Sequence, residues 1–489
     1  MTLARMRSNL AANGPELYIG AGTSGLLWAG PQQAALILGP PRSGKTSSLV
    51  VPNVLASPGP VLVTSTKRDI LEATVASRLE LGRCWLFDPS GTLGAAGGAQ
   101  ALRWSPVQAA IQWEEALVTA RVMTAAARPG RHLGDSAHWT ERAEALLAPL
   151  LHAAARAGAG MSDVVSWALR HDLYTPMAVL AREGAPVATD VLAGILATEE
   201  RERSGILSTA AGVLSAYRSS RALELADAPN FDPAWAVGGA DTIYICAPAR
   251  YQALCAPVVV AFLEQVRAAT YQAASSRQLR LPVTFVLDEV ANIAPLPDLP
   301  SMVSEGGGQG LLTLACLQDL SQARERWGPA SEGFFSLFGT KVLLPGVGDM
   351  RTLDAVSRLA GQVDVPVRSV SASPWWSKGR SSATTTWSWR RQPRLPVDKA
   401  RSLPPGSAVV LSGARPPRLA ALTPWWAYPP FAEAAWLPPP RPTGPEPPHP
   451  RRQPLPPSPP PSPRSEEVAV PGWRRVRGQR RLHPPPPRF

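Results

Sequence analysis

The 489-residue sequence is short of lysine, cysteine and histidine, and each shortage narrows the possible functions. Only five of its 49 basic residues are lysine, so a lysine at a motif position stands out against an arginine-rich background. The four cysteines form no C-x-x-C pair, and three lie in apolar runs, which predicts reduced core thiols of a cytosolic protein. The six histidines are scattered, and the nearest pair, His132 and His138, has no partner ligands. We therefore predict no metal site other than that of a nucleotide-bound ion.

Long apolar runs are also missing. No stretch of 18 uninterrupted apolar residues occurs, and residues 1–14 lack the apolar core of a signal peptide. We therefore expect a cytoplasmic chain without a transmembrane segment. Its length leaves room for two or three domains.

The stretch "ILGPPRSGKTSS" (37–48) has the order and spacing of a phosphate-binding loop. A lysine ammonium on a flexible stem bends back over a β- or γ-phosphate, where a planar guanidinium does not fit. The apolar run before the loop predicts a strand, and the run after it predicts a helix that Pro52 bends. ATP and Mg²⁺ are the predicted cofactors, with Thr46 as a metal ligand. The predicted nucleotide-binding residues are Gly39, Pro40, Pro41, Arg42, Ser43, Gly44, Lys45 and Thr46.

A second apolar run, "VTFVLDEVANI" (283–293), carries the paired acids that nucleotide hydrolysis needs. We predict that Asp288 holds Mg²⁺ and that Glu289 orients or deprotonates the attacking water. A third run, "LLTLACLQDLSQ" (311–322), ends in Gln318, whose amide is predicted to sense the γ-phosphate. Without the phosphate-binding loop, either run would be an ordinary strand end.

Strand-like and helical segments alternate along most of the chain, which predicts an α/β fold with a mostly parallel sheet, as in RecA-like P-loop NTPases. Residues from about 105 to 225 break this pattern with apolar residues at helical spacing, which predicts an all-helical insertion. The predicted segments are an N-terminal segment (1–29), the ATPase domain in two parts (30–104 and 231–430), the helical insertion (105–230) and a tail (431–489). The strands are predicted at 34–38, 60–66, 84–89, 242–248, 283–289, 311–318, 341–346 and 408–413.

The net charge of +12 is concentrated near the carboxyl terminus. From Pro438 onward there are ten arginines against three glutamates, together with 20 of the 54 prolines. This composition predicts a disordered, polyproline-like arm that ends in the basic cluster "WRRVRGQRR". One hypothesis makes it a tether for DNA, an acidic membrane surface or a partner protein, and the other makes it a solvated tail.

A tryptophan-rich stretch, "SASPWWSKGRSSATTTWSWRRQPR" (371–394), is a second candidate for contact with DNA. Alternation places Trp387 and Trp389 on one side of a predicted strand, beside Arg390 and Arg391. Aromatic faces with nearby cations stack on a single strand and neutralise it. The alternative is a tryptophan-rich hairpin that packs on the domain.

The order of these motifs resembles a known family. The sequence "LGPPRSGKT", then "VTSTKRDILEAT", "LFDPSG", "RWSPV", "HWTERAEALL", "VLDEVANIAPLPDLPSMVSEGGGQG" and "CLQDLSQARERWG" is similar to that of the coupling ATPases of type IV secretion and conjugation. The closer resemblance is to the TraG/VirD4/TraD group with its TraM-recognition region, in an actinobacterial-like version. It covers about residues 30–425.

This resemblance implies a homo-hexameric ring that uses ATP to pump DNA, or DNA attached to protein, into a secretion channel. It implies DNA, a relaxase or relaxosome, and channel proteins as partners. The sites implied by the resemblance coincide with those predicted above: Gly44, Lys45 and Thr46 on the phosphates and Mg²⁺, Asp288 and Glu289 as metal ligand and base, and Gln318 as sensor. The competing hypothesis is a nucleotide-binding adaptor that docks cargo without translocating it. Loss of Glu289 or Gln318 would mark an adaptor, and both residues are present.

Two departures from the family pattern matter. Members commonly begin with transmembrane helices, whereas this sequence has none, so we expect it to reach the inner face of the membrane through partners. Many members also carry a basic residue in a G-R-x-x-G segment, proposed to act on a neighbour's ATP, where this sequence has Gly307. Arg324, Arg326 and Arg351 are the candidate substitutes, with solvated helix charges as the alternative.

Overall fold

The computed structural model describes residues 2–23, 25–94, 97–127, 135–372 and 383–435. The predicted basic and proline-rich arm after residue 438 therefore lies outside the described residues. A helix occupies Pro429–Ala435, so the first five residues of the predicted tail (431–489) are helical. The other predicted domain boundaries stay predictions.

Twelve strands form one large sheet, and two more form a separate ribbon. Every apolar run predicted to be a strand is one. The large sheet contains β1 Tyr18–Gly22, β2 Gly25–Trp28, β3 Ala35–Leu38, β4 Val61–Ser65, β5 Cys84–Phe87, β6 Gln100–Leu102, β7 Thr242–Cys246, β8 Val283–Leu287, β9 Leu311–Leu317, β10 Thr340–Leu343, β13 Ser407–Ser412 and β14 Arg418–Ala421. The ribbon contains β11 Gln362–Ala372 and β12 Ala383–Pro393.

The sheet is parallel in its larger part and antiparallel at one end. Its strand order is β2-β1-β14-β13-β10-β3-β9-β8-β4-β7-β5-β6. All neighbouring strands from β10 through β6 are parallel, whereas β10 meets β13, and the strands beyond it, in antiparallel fashion. The predicted mostly parallel α/β sheet is therefore confirmed.

Helices cover both faces of this sheet. They are α1 Leu3–Asn13, α2 Val51–Ala56, α3 Asp69–Leu79, α4 Pro106–Ala109, α5 Trp113–Ala127, α6 Asp135–Ala157, α7 Met161–Arg170, α8 Tyr174–Arg182, α9 Pro186–Leu196, α10 Glu200–Val213, α11 Ser220–Asp227, α12 Gln252–Ser275, α13 Val290–Ile293, α14 Leu299–Glu305, α15 Leu320–Trp327, α16 Phe334–Leu337, α17 Met350–Ala360, α18 Val397–Arg401 and α19 Pro429–Ala435. All secondary structure described between β6 and β7 is helical, as the spacing of apolar residues predicted.

Alternation along β3 shows why these strands read as unbroken apolar runs. Leu36 and Leu38 lie in the core on one face, together with the helical block and α12. Ala35 and Ile37 lie in the core on the other face, with α1, α2 and α3. Because side chains of a strand alternate between the faces and both faces are covered, every position of a central parallel strand is apolar.

In the part of the chain that the structure describes, one helix, α12, is long and apolar enough by length and composition to cross a membrane. In the fold, 67% of its apolar window is buried against the sheet and the helical block, as in the core helix of a globular protein. This makes the length and composition of α12 weak evidence for a membrane span.

The ribbon of β11 and β12 lies outside the large sheet and is joined to it through α17 and α18. The register pairs Trp387 with Arg368 and Trp389 with Pro366. Trp387 is 65% exposed and Trp389 is 74% exposed. The predicted strand is thus confirmed, but these tryptophans do not pack on the domain, so the packing alternative is wrong for them. Arg391 shares their face, whereas Arg390 lies on the opposite face, because side chains alternate along a strand.

Candidate functional site

The predicted site residues follow three neighbouring strands at the carboxyl edge of the sheet. Strand β9 lies between β3 and β8, with Leu317 paired to Leu38 and Ala315 paired to Leu287. The phosphate-binding loop follows β3, the paired acids follow β8, and Gln318 follows β9. Residues remote in the sequence therefore meet at one edge, where open parallel sheets bind their ligands.

The loop 39–46 is tight, and two of its residues adopt left-handed backbone conformations. Arg42 has φ of 64° and Gly44 has φ of 96°. A Cβ at Gly39 would lie 2.6 Å from the Ser43 Oγ and 2.9 Å from the Leu344 Cβ, so no side chain fits there. The Gly39 amide donates to the Leu317 carbonyl at 3.1 Å and fixes the start of the loop against β9.

Lys45 is buried within this loop. Its ammonium donates to the carbonyl oxygens of Gly39 and Pro40. After Lys45 the chain enters a wide, π-helical turn, Thr46–Val50, that continues into α2. Pro52 lies two residues after the π-helical turn ends, and helical structure continues through it to Ala56.

The loop and the paired acids are joined by a hydrogen bond between side chains 242 positions apart. The Thr46 hydroxyl donates to the Asp288 Oδ2 at 2.8 Å. On the other side of Asp288, its backbone carbonyl accepts from the Thr64 hydroxyl of β4 at 2.7 Å. Asp288 is thus fixed between the helix that follows the loop and the neighbouring strand.

The environment of Asp288 suits a divalent cation. The side chain is buried, and its Oδ1 atom has no hydrogen-bond partner among the described residues. The pKa of this carboxyl is raised to about 6, chiefly by burial; Glu289 and Asp69 also raise it, whereas the hydrogen bond from Thr46 and the charge of Lys45 lower it. A hard cation at the free oxygen would stabilise the carboxylate, and hydroxyl and carboxylate oxygens are ligands that Mg²⁺ prefers. The residues present therefore fit Mg²⁺.

Glu289 adopts a left-handed conformation, with φ of 53° and ψ of 43°, which is uncommon for a residue other than glycine. This conformation turns the chain directly from β8 into the short helix α13. The Asn292 amide, one turn later, donates to the Glu289 Oε2 at 3.1 Å. The backbone turn and this hydrogen bond together fix where the carboxylate lies. The role of Asn292 was missed from the sequence, although the i, i+3 spacing in "DEVAN" places the two side chains on one helix face.

Gln318 follows β9, the strand between β3 and β8, and it is half-buried; its contact with a γ-phosphate stays a prediction. Its backbone amide donates to the Gln322 side chain at 3.0 Å. Asp319, the next residue, caps α15 by accepting from the amides of Ser321 and Gln322. The capped helix sets the direction in which the chain leaves β9.

The family is decided by a comparison with known protein families. The description of the matching family is type IV secretory system conjugative DNA transfer, and the match extends over residues 5–431. The chain belongs to this family. Its role is in conjugative DNA transfer by a type IV secretory system, as the order of motifs implied. None of the curated proteins matches the sequence.

Solved structures of the bacterial conjugative coupling protein TrwB are similar to this DNA-transfer protein. The unbound form of the TrwBdeltaN70 protein is 16% identical with a TM-score of 0.60, over 85% of this chain and 91% of that one. TrwB with the non-hydrolysable ATP analogue ADPNP is 17% identical with a TM-score of 0.60, over 80% and 86%. TrwB with ADP and Mg²⁺ is 16% identical with a TM-score of 0.60, over 85% and 92%. This likeness shows the P-loop NTPase fold.

Gly307, at the position where the family resemblance predicted a basic residue, lies in a packed turn before β9. A Cβ at this position would be 2.0 Å from the backbone oxygen of Gln32, in the turn before β3. The turn is at the amino edge of the sheet, opposite the phosphate-binding loop. Gly307 therefore brings two loops together and has no room for a side chain.

The three candidate substitute arginines differ in their surroundings. The Arg324 guanidinium lies 3.5 Å from the Asp349 carboxylate. Arg326 is half-buried, and burial lowers the pKa of its guanidinium. Arg351 is exposed in the first turn of α17. All three follow β9 or β10, at the same edge as the predicted nucleotide site.

Proposed function

We propose that this conjugative DNA-transfer protein is an ATP-driven pump that moves DNA, or DNA attached to protein, into a type IV secretion channel. The observation that carries the proposal is the 2.8 Å hydrogen bond between the Thr46 hydroxyl and the Asp288 carboxylate, which joins the phosphate-binding loop to the paired acids. That TrwB structures hold ADPNP, or ADP with Mg²⁺, supports nucleotide binding at the corresponding edge.

In the proposed site, the backbone amides of residues 42–46 and the Lys45 ammonium bind the phosphates. Thr46 and Asp288 would hold Mg²⁺, and the bound ion would supply positive charge beside the transferred phosphoryl group. Glu289, oriented by Asn292, accepts a proton from the attacking water or orients it. Gln318, at the end of the strand between them, contacts the γ-phosphate.

The Lys45 side chain has a specific part in nucleotide binding. Its ammonium donates to the carbonyls of Gly39 and Pro40, so phosphate binding exchanges these two hydrogen bonds for charge-assisted ones. The exchange favours the nucleotide because the new acceptors are anionic. The loop therefore holds its own lysine until a phosphate replaces the carbonyls.

The test is ATP turnover and nucleotide binding by the Lys45→Ala variant. We expect loss of both, whereas Lys341→Ala, a lysine on β10 away from the loop, retains both. DNA added to the parent protein should raise turnover, since a pump couples hydrolysis to its cargo. Turnover that is indifferent to DNA, together with intact nucleotide binding, would favour the adaptor.

The proposal extends to a homo-hexameric ring at the inner face of the membrane, brought there by channel proteins, with a relaxase as the partner on the DNA. In such a ring, one of Arg324, Arg326 and Arg351 acts on a neighbour's ATP. It takes the role proposed for the basic residue that the family pattern has at the position of Gly307. Arg351 has the most favourable position, because it is exposed and Arg324 lies beside Asp349.

Mixing inactive subunits tests this arrangement. A Lys45→Ala subunit still has its arginine and an Arg351→Ala subunit still has its loop, so co-assembly should restore turnover if the arginine acts in trans. A trans-acting arginine accounts for ~10³–10⁵-fold in rate. An Arg351→Ala protein as active as the parent would exclude this residue, and the same measurement decides for Arg324 and Arg326.

A further inference from the structure

The ribbon of β11 and β12 exposes two large aromatic side chains that no part of the nucleotide site uses. Trp387 and Trp389 are 65% and 74% exposed, and both lie on the same face because they are two residues apart in one strand. Large exposed aromatic side chains on a soluble surface mark places where a partner binds. The exposed tryptophans therefore make the ribbon a candidate binding surface, and the residues around them indicate the kind of partner.

Positive charge surrounds these aromatic side chains. The described strands of the ribbon, 362–372 and 383–393, contain three arginines and one acid, Asp364. On the face of the tryptophans, Arg368 is paired directly opposite Trp387, and Arg391 lies two residues beyond Trp389. Arg391 is 3.5 Å from Asp364, in an ion pair whose side chains are 72% and 56% exposed, so the pair is open to exchange for another anion. The surface is complementary to a polyanion with flat apolar groups.

The spacing of the tryptophans distinguishes single-stranded from double-stranded nucleic acid. Two residues along a strand correspond to about 6.8 Å. Bases in one strand of duplex DNA repeat about every 3.4 Å and have both faces covered by their neighbours. A base that stacks on each tryptophan must leave its neighbour, which a single strand does far more readily than a duplex.

The opposite face of the ribbon argues against insertion into a membrane. It presents polar residues of β12, which are Thr386, Ser388 and Arg390, beside three valines of β11 at 363, 365 and 367, so this face is not continuously apolar. A segment that inserts into a lipid interface carries a continuous apolar face, whereas the tryptophan face here also holds two arginines and an aspartate. Acidic lipid is therefore a poorer fit than a single strand.

The ribbon is anchored at its base, which gives the side chains a defined orientation. The Arg394 amide donates to the Gly361 carbonyl at 2.8 Å, just beyond the last strand pair. The Ser357 hydroxyl of α17 donates to the Leu395 carbonyl at 2.6 Å. An isolated two-stranded ribbon is marginal in water, so this attachment to α17 supports it.

We propose that the face of the ribbon formed by Trp387, Trp389, Arg368 and Arg391 binds single-stranded DNA by base stacking and phosphate contact. The proposal rests on the DNA-transfer function and specifies the form of the DNA and the surface that contacts it. In proteins that bind single strands by stacking bases on aromatic side chains, each stacked base contributes about 1–3 kcal/mol to the free energy of binding.

The experiment compares binding of the full chain to a fluorescent 30-nucleotide single strand and to a blunt duplex of the same sequence. The double variant Trp387→Ala/Trp389→Ala should bind the single strand at least about 25-fold more weakly than the parent. The Trp387→Phe/Trp389→Phe variant (the phenylalanine variant), which keeps two aromatic faces, should recover most of this loss. Trp426→Ala is the matched control, since Trp426 is a 55% exposed tryptophan outside the ribbon, and should bind like the parent.

Charge and folding are separated by a second measurement. Arg368→Ala removes one cation and no aromatic surface, so the slope of log K against log salt for the single strand should fall by about 0.7. Thermal melting of each variant shows whether the fold survives. Should the double alanine variant unfold, the Arg368→Ala slope and the phenylalanine variant still decide the question.

Four results would overturn the proposal. The first is equal affinity of the parent and the double alanine variant for the single strand, and the second is tighter binding of the duplex than of the single strand by the parent. The third is a double alanine variant that loses affinity for anionic vesicles but not for DNA. The fourth is a double alanine variant that loses only self-association. The last would make the ribbon an interface between copies of the chain. Failure of the proposed ATP-driven function is distinguishable, because it appears as absent Lys45-dependent turnover in a parent that still binds the single strand.

Discussion

The carboxyl edge of the sheet and the ribbon differ in how much the rest of the fold constrains their side chains. At the edge, Lys45 and Asp288 are buried and held by short hydrogen bonds from three elements. On the ribbon, Trp387 and Trp389 are mostly exposed, and their strand is held by pairing with β11 and by the attachment of the ribbon base to α17. A preorganised, partly dry site suits chemistry, because its dipoles need no rearrangement at the moment of reaction. An exposed aromatic surface suits a ligand that slides past.

The role of the carboxyl edge as a site of chemistry is tested most directly by the Glu289→Gln variant. The amide keeps the size of the side chain and the left-handed turn but accepts no proton, so nucleotide should bind while turnover falls about 10²–10⁴-fold. Single-turnover kinetics with radiolabelled ATP measure the chemical step apart from binding. Turnover equal to that of the parent would remove the base assignment, whereas the ribbon variants provide the contrast in which DNA affinity changes.

Asn292→Ala should have the next largest effect. Without the 3.1 Å hydrogen bond, the Glu289 carboxylate loses its orientation, and we expect kcat to fall about 10–100-fold with KM for ATP unchanged. In the Glu289→Gln background the same substitution should have little further effect, because both act through one group. A fall in kcat of equal size in both backgrounds would mean that Asn292 acts independently of Glu289.

Gly307→Ala tests the amino edge of the sheet, where packing rather than chemistry is at stake. The new Cβ would overlap the Gln32 carbonyl, so we expect a loss of about 1–3 kcal/mol in the free energy of unfolding, measured by urea titration. Gly308→Ala is the control, since a Cβ there meets nothing within 4 Å. Loss of turnover without loss of stability would instead give this turn a direct part in catalysis.

The smallest expected effect concerns the arm from Pro438 onward. If the arm binds DNA, removing residues 438–489 should lower the salt dependence of binding to a single strand. The slope should fall by about 0.7 for each phosphate that the arm neutralises. Parent and truncated chains are compared with the same single strand across a range of salt. An unchanged slope assigns DNA binding to other surfaces, such as the ribbon.

The central strands and the nucleotide edge were predictable because they depend on local pattern. Parallel strands such as β8, covered on both faces, are unbroken apolar runs, and Asp288 and Glu289 follow directly after one. Strands β1, β2, β6 and β14 escaped prediction because they are short strands towards the two ends of the sheet; β1 and β2 contain Gly20, Gly22 and Gly25, which weaken strand propensity.

The packing of remote residues against one another was beyond the sequence. Nothing near Gly307 indicates that Gln32 lies against it, since the two are brought together only by neighbouring strands. The ribbon was half predicted: alternation indicated the strand and the shared face of Trp387 and Trp389. Their exposure depends on where the ribbon leaves the large sheet, which no local pattern encodes.

The antiparallel end of the large sheet constrains how the protein is made. Ala21 of β1 pairs with Ala421 of β14, 400 residues later in the chain. At about 5–20 residues per second, a ribosome delivers the second strand roughly 20–80 s after the first. During that interval β1 has an unpaired edge, the kind of edge on which chains aggregate. The hairpin of β1 and β2 therefore lacks its partner strand until about 400 further residues have been synthesised, so pairing of β1 with β14 is a late step in folding.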